Sequence, residues 1–197
     1  MAIRIALLLL LAVSANAIAD AGAGEFMGYR LGGRYQRGPV TSLQVTTTGN
    51  LVIIAESPVK PADIAEVAVV TTPATLTIGN ITASQWFPTE DEARGFARRY
   101  FELLRARYPA WPFGWEVMDA RMRIVEVSFH QPPYNLQLRL AADVRSGKGM
   151  WRFSMALGWL PDSAEAKAWQ QASGREQTAV RKADDQVLLK QSDVRGL

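Results

Sequence analysis

Val125-Glu126-Val127-Ser128-Phe129, Tyr134-Asn135-Leu136-Gln137-Leu138-Arg139-Leu140-Ala141 and Trp151-Arg152-Phe153-Ser154-Met155-Ala156-Leu157-Gly158-Trp159 are three alternating runs within residues 121–160. Successive side chains of a strand point to opposite faces, so each run sends its large apolar residues to one side and its polar or small ones to the other. Gln131-Pro132-Pro133 and Arg145-Ser146-Gly147-Lys148-Gly149 separate the runs with turn-forming residues. The span predicts a three-stranded antiparallel meander with one buried face. A slip of one residue would carry Trp151, Phe153, Met155 and Leu157 into water, so the register is strongly specified.

Working towards the N-terminus, Thr89 and Glu92 have capping-box spacing, with Glu90 and Asp91 placed near the positive end of a helix dipole. Ala93, Phe96, Ala97, Tyr100, Leu103 and Leu104 then recur at helical spacing, and Pro109 stops the helix. Before it, residues 40–48 and 51–56 are rich in β-branched side chains and are predicted to pair through a two-residue Gly49-Asn50 link. Two further strands are expected at 65–71 and 75–84, with Thr72-Pro73-Ala74 as the turn. Glycines between Phe26 and Gly33 suit a short strand or an irregular segment.

On the C-terminal side, Asp162 and Glu165 have capping-box spacing and open a helix running to about Leu189, which Gly174 weakens by ~1 kcal/mol. About seven strands in two groups, each followed by a long helix, imply an α+β fold with a mainly antiparallel sheet covered by two helices. No low-complexity tract or internal repeat stands out.

The first residues carry an address. Arg4, the apolar run 5–13 and the small residues Ala15, Ala17 and Ala19 read as a signal peptide over 1–19, leaving Ile18 or Asp20 as the mature N-terminus. The run is shorter than the ~20 residues a spanning helix needs. Residues 20–197 are then expected to form a single domain, periplasmic or secreted and soluble. The chain has no cysteine, which excludes a lipoprotein anchor, disulfides and thiol chemistry.

Composition narrows the chemistry. The net charge of +3 is too small for the concentrated basic face that nucleic acid demands, so no nucleic-acid partner is expected. His130 is the only histidine, which leaves no histidine-rich metal set, and no G-x-S-x-G turn presents a serine to it. Glu90-Asp91-Glu92 and Asp184-Asp185 are adjacent carboxylates not aimed at one point, explained by the helix dipole and by a polar helix face. The glycines of Gly22-Ala23-Gly24 and Leu31-Gly32-Gly33-Arg34 match neither phosphate-binding fingerprint. No cofactor or metal is expected.

Two features stand above this background. Tyr108-Pro109-Ala110-Trp111-Pro112-Phe113-Gly114-Trp115 reads as a proline-stiffened loop, in which Trp111, Phe113 and Trp115 serve either as a ligand platform or as a lid on the core. Arg94, Arg98 and Arg105 fall near one line of the first helix, with Arg99 and Arg107 nearby and Glu102 the only short-range acid. That row is either a solvated face or a contact for phosphate-bearing lipid or an acidic partner.

Phe26-Met27-Gly28-Tyr29-Arg30-Leu31-Gly32, Thr77-Ile78-Gly79-Asn80-Ile81-Thr82 and the helix from Thr89 to Tyr108 resemble small uncharacterised bacterial exported proteins over about half of the mature chain. The resemblance implies a bacterial periplasmic setting and carries no catalytic residue. The reading is an exported, non-enzymatic binding or interaction module of the bacterial envelope, its partner an envelope protein, a glycan or an anionic lipid surface. The alternative is a carboxylate-dependent hydrolase acting on envelope glycans, since glycoside hydrolysis needs only two suitably spaced carboxylates.

Overall fold

The computed structural model describes residues 24–36, 40–57, 59–119, 124–143 and 149–195. The signal peptide expected at 1–19 and turn residues 145–148 lie outside them. In chain order the elements are β1 (Glu25–Phe26), β2 (Tyr29–Arg30), β3 (Val40–Val45), β4 (Leu51–Ala55), β5 (Glu66–Thr71), β6 (Ile78–Phe87), α1 (Glu90–Arg107), β7 (Phe113–Asp119), β8 (Ile124–Gln131), β9 (Tyr134–Asp143), β10 (Met150–Trp159) and α2 (Ala164–Arg195). β1 and β2 form a small pair, and the other eight strands form one antiparallel sheet in the order β3-β4-β5-β6-β10-β9-β8-β7. The fold is α+β.

The alternation in 121–160 sets the sheet's two faces. Phe153, Met155 and Leu157 pair with Leu140, Leu138 and Leu136 on β9, and Met155 and Leu157 pair with Ala83 and Ile81 on β6. All of these are buried. Residues directly opposite each other in an antiparallel pair share a face, so the inner face continues through Val69 and Ile53 on one side and Val127 and Phe129 on the other. Each large apolar side chain fully buried there contributes roughly 1.5–3 kcal/mol. The outer face is mostly polar, with Arg152 donating to Ser84 Oγ (2.8 Å) and lying over the Trp86 ring.

Four details differ from the sequence reading. The aromatic segment is partly strand rather than loop, because Phe113 and Trp115 pair with Phe129 and Val127 on β8. Flanking prolines hid this alternation, which an edge strand tolerates. The β3–β4 connection is wider than two residues: Thr46 N–H bonds to Asn50 O, and Thr46 Oγ1 accepts from Asn50 N–H. Thr89 does cap α1, accepting from Glu92 N–H (3.3 Å), but Ser163 rather than Asp162 caps α2, accepting from Ala166 N–H (3.1 Å).

The fourth difference is a repeat. Four antiparallel strands and a helix (β3 to α1) are followed by four more strands and a helix (β7 to α2), and the two units join at β6 and β10. Trp86-Phe87-Pro88-Thr89-Glu90-Asp91-Glu92-Ala93-Arg94-Gly95-Phe96 parallels Trp159-Leu160-Pro161-Asp162-Ser163-Ala164-Glu165-Ala166-Lys167-Ala168-Trp169. Ala93 and Ala166 are both buried in their helices. The cap falls one residue later in the second unit, so Trp86 lies on the outer face and Trp159 on the inner, as a one-residue slip requires.

Each helix packs against the central strand of the other unit. Phe96 and Tyr100 of α1 meet Phe153 of β10 with ring centroids at 5.0 and 5.5 Å. In the equivalent place Trp169 of α2 lies over Gly79 of β6 and donates its Nε1–H to Thr77 O (3.0 Å). A ring against a ring on one side is thus replaced by a large indole against a glycine on the other. Glu176 then clasps the β5–β6 turn, accepting from Thr75 Oγ1 (2.6 Å) and from the N–H groups of Ala74 (2.8 Å) and Thr75 (3.0 Å).

Phe153→Ala should destabilise the protein by about 3–5 kcal/mol, the cost of a large buried cavity. Arg152→Ala, on the outer face, should cost about 1 kcal/mol through its lost hydrogen bonds. Denaturant titration distinguishes the two, and equal losses would contradict the register. Gly79→Ala would place a Cβ 2.2 Å from Trp169 Cε2, so it should destabilise by ~1–3 kcal/mol and change the near-ultraviolet dichroism of the displaced indole.

A pH signature follows from Glu176. Partial burial would raise its carboxyl pKa, but the hydrogen bonds from Thr75 and Ala74 outweigh this and hold the group below the ordinary value. A carboxylate depressed in the folded state stabilises in full above its unfolded pKa, and that stabilisation is lost as pH falls through the folded value. Glu176→Gln should therefore lie below wild type in stability at pH 7, with the gap closing as the pH is taken below 4.5.

Candidate functional site

The two flanks of α1 do different work. On one flank Arg99 pairs with Asp63 (2.5 Å) and lies over the Phe96 ring, while Tyr100 donates its hydroxyl hydrogen to the same carboxylate (2.7 Å). Burial first, then the hydrogen bond to Asp63, pushes the Tyr100 pKa far above the ordinary phenol value, so this tyrosine stays a donor. The lock ties α1 to the segment before β5 and accounts for Arg99.

The other flank carries the arginine row. α1 packs over β10, β9 and β6 and leaves the inner surface of β7 and β8 partly uncovered. Phe113 and Trp115 there remain 41% and 61% exposed. Phe101 reaches out from α1 towards them, with ring centroids 5.4 Å from Phe113, 5.0 Å from Trp115 and 5.8 Å from Phe129. A cleft of about 390 Å³ opens between helix and sheet. Its helix wall is Arg94, Ala97, Arg98, Phe101 and Glu102, its sheet wall Trp115, Val125 and Arg139, and its floor Val127, Leu138, Leu140 and Phe153.

Side chains at positions 94, 98, 101 and 105 share one stripe of a helix, so the row and the aromatic edge meet by geometry. Arg94 and Arg98 line the cleft, and Arg105 lies beside it, over the rings of Phe101 (5.7 Å) and Phe113 (5.4 Å). Glu102 is not the row's only neutralising acid: Arg94 bonds to Glu90 Oε1, with Nε at 2.8 Å and a terminal nitrogen at 2.6 Å. Arg98 has no carboxylate partner among the described residues.

The remaining candidates lie elsewhere. Trp111 is half-buried and packs on Tyr108 with centroids 4.6 Å apart, closing the core at the end of α1 rather than lining the cleft. Glu126 is buried on the outer face of β8, within 3.4 Å of Ser128 Oγ, and faces away from the cleft. Asp184 and Asp185 are exposed on α2, and His130 stands opposite Asn135 near the end of β8. Among the described residues no group of three His, Asp or Glu side chains has the arrangement of a metal site, and no helix is long and apolar enough to cross a membrane.

The second unit does not reproduce the site. In the motif alignment Phe101 corresponds to Gly174, and Arg98 to Gln171. At the opposite edge of the inner face stand Leu43 and Val45 on β3, without a ring or an arginine beside them in the corresponding helix positions. The repeated Trp-x-Pro and Glu-Ala-basic pattern was the sequence signal from which this comparison could have been drawn. The chain matches no protein-family model, no curated protein and no solved structure.

Proposed function

We propose that this chain is an exported, non-enzymatic binding module of the bacterial envelope that recognises an anionic component at the cleft under α1. One observation carries the reading: the arginine row and the aromatic edge, separate in sequence, border one cleft, whose counterpart helix has Gly174 and Gln171 in place of Phe101 and Arg98. A volume of about 390 Å³ falls in the ~300–1,000 Å³ range of small-molecule sites. Guanidinium groups match carboxylate and phosphate geometry and stack on aromatic faces, so Arg98 and Arg105 suit a negatively charged group bordering apolar surface.

The placement of acids favours binding over glycan hydrolysis. Glycoside hydrolysis uses two carboxyl groups roughly 5–9.5 Å apart around the scissile bond. Among the described residues Glu102 is the only acid lining the cleft, and Glu126 lies on the other face of the sheet. The signal peptide at 1–19 and the resemblance to exported proteins supply the envelope setting.

Co-sedimentation with vesicles tests the reading. Wild type should pellet with anionic vesicles at low salt, remain in solution with neutral ones, and release as salt screens charges beyond about 10 Å at 0.1 M. Arg98→Gln with Arg105→Gln should weaken binding about tenfold or more, at ~1 kcal/mol per arginine near a charged surface, with unchanged circular dichroism. Arg94→Gln should weaken it less, because Glu90 already holds that guanidinium. Absence of binding to anionic vesicles at low salt, together with absence of binding to soluble anionic amphiphiles, would remove the proposal.

A further inference from the structure

The cleft is elongated and asymmetric in polarity. Its helix wall extends from Arg94 to Glu102, about 12 Å at ~1.5 Å per residue. Along that length the floor is aliphatic or aromatic, made by Val127, Leu138, Leu140 and Phe153; the charged lining residues are those of the α1 rim and Arg139 of β9, which alternates with the two leucines and stands opposite Ser154 and Glu126 of the outer face. The inward side chains Val127, Leu138, Leu140 and Phe153 carry no donor or acceptor for a sugar or a peptide, and desolvating such a ligand against them would be unfavourable. An apolar chain needs no such partners.

We infer that the cleft takes a single acyl chain ending in a carboxylate, the tail lying on this floor under Trp115 and Phe101 and the head meeting Arg98 at the rim. This rests on the proposal that the cleft recognises an anionic component, and names its chemistry. Taking a methylene as about one liquid water's share of volume, ~30 Å³, the cleft holds a chain of roughly a dozen carbons and no bulky headgroup. Arg94 is held by Glu90, so Arg98 is the rim guanidinium left for a carboxylate, and Glu102 nearby opposes a second negative charge. Trp115, largely exposed at the mouth and packed on Phe101, gives the chain an aromatic wall.

Titration calorimetry with dodecanoate below its micellar concentration is the direct test. Dodecanoate should bind with one-to-one stoichiometry, and each removal of two methylenes should weaken binding roughly tenfold, so that hexanoate scarcely binds. Dodecyltrimethylammonium, with the same tail and the opposite charge, should bind at least tenfold more weakly. Arg98→Gln should weaken dodecanoate about tenfold, as for a lost charge-assisted bond, and Trp115→Ala should weaken it while leaving the melting temperature near wild type. Leu43→Ala, on the opposite edge of the inner face, should change nothing.

Four results overturn the inference. If hexanoate binds as well as dodecanoate, or the cationic amphiphile binds as well as the anionic one, no acyl carboxylate is being recognised. If anionic vesicles bind in an Arg98-dependent way but dodecanoate does not, the inference fails while the proposed function stands as surface attraction alone. If neither binds, both fail. Dodecanoate binding that depends on Arg98 and Trp115, without vesicle binding, upholds the inference and narrows the function to a free amphiphile.

Discussion

The antiparallel pairing of β6 with β10 is the contact on which the rest of the molecule depends. Ile81 opposite Leu157 and Ala83 opposite Met155 join two four-stranded units into one sheet, and all four side chains are buried. The pairing makes the two inner faces continuous, so one hydrophobic surface serves both units. It also brings each helix over the neighbouring unit's central strand, which is why α1 rests on Phe153 and α2 on Gly79. The units interlock rather than stand side by side.

Interlocking constrains what each helix can carry. A site filled by Phe153 accepts Phe96 edge-on, whereas the site emptied at Gly79 accepts the larger Trp169. Away from these contacts the constraint relaxes and the two copies diverge. Phe101 extends beyond the covered sheet to Trp115, and its counterpart Gly174 leaves open space. The cleft is therefore a consequence of where α1 stops covering the inner face. Its polarity follows from the helix period, which puts Arg94, Arg98 and Phe101 on one flank and Arg99 with Tyr100 on the side tied to Asp63.

Electrostatic roles within α1 divide the same way. Glu90 and Asp63 each hold one arginine in a defined pair, giving Arg94 and Arg99 structural partners. Exposed pairs of this kind add little stability by themselves, typically ~0–1 kcal/mol. Their effect is on availability: Arg98 keeps its charge without a carboxylate partner among the described residues, and Arg105 spends its own over two aromatic rings. A row of similar residues in the sequence is thus several different environments in space.

What the sequence by itself determined was local. Alternation in Trp151–Trp159 and its neighbours set the faces of β8, β9 and β10, because the side-chain period of a strand is two and only one register buries the aromatics. Thr89 announced the start of α1, because a hydroxyl there satisfies an otherwise unpaired N–H. Tertiary structure decided what no local period encodes: that β6 joins β10, that Phe113 and Trp115 leave the loop for an edge strand, and that Trp115 and Arg98 border one cleft while Trp111 turns to the core. Those outcomes depend on pairings between residues distant along the chain, whose partners are selected by the shape and burial of the whole sheet rather than by their neighbours in sequence.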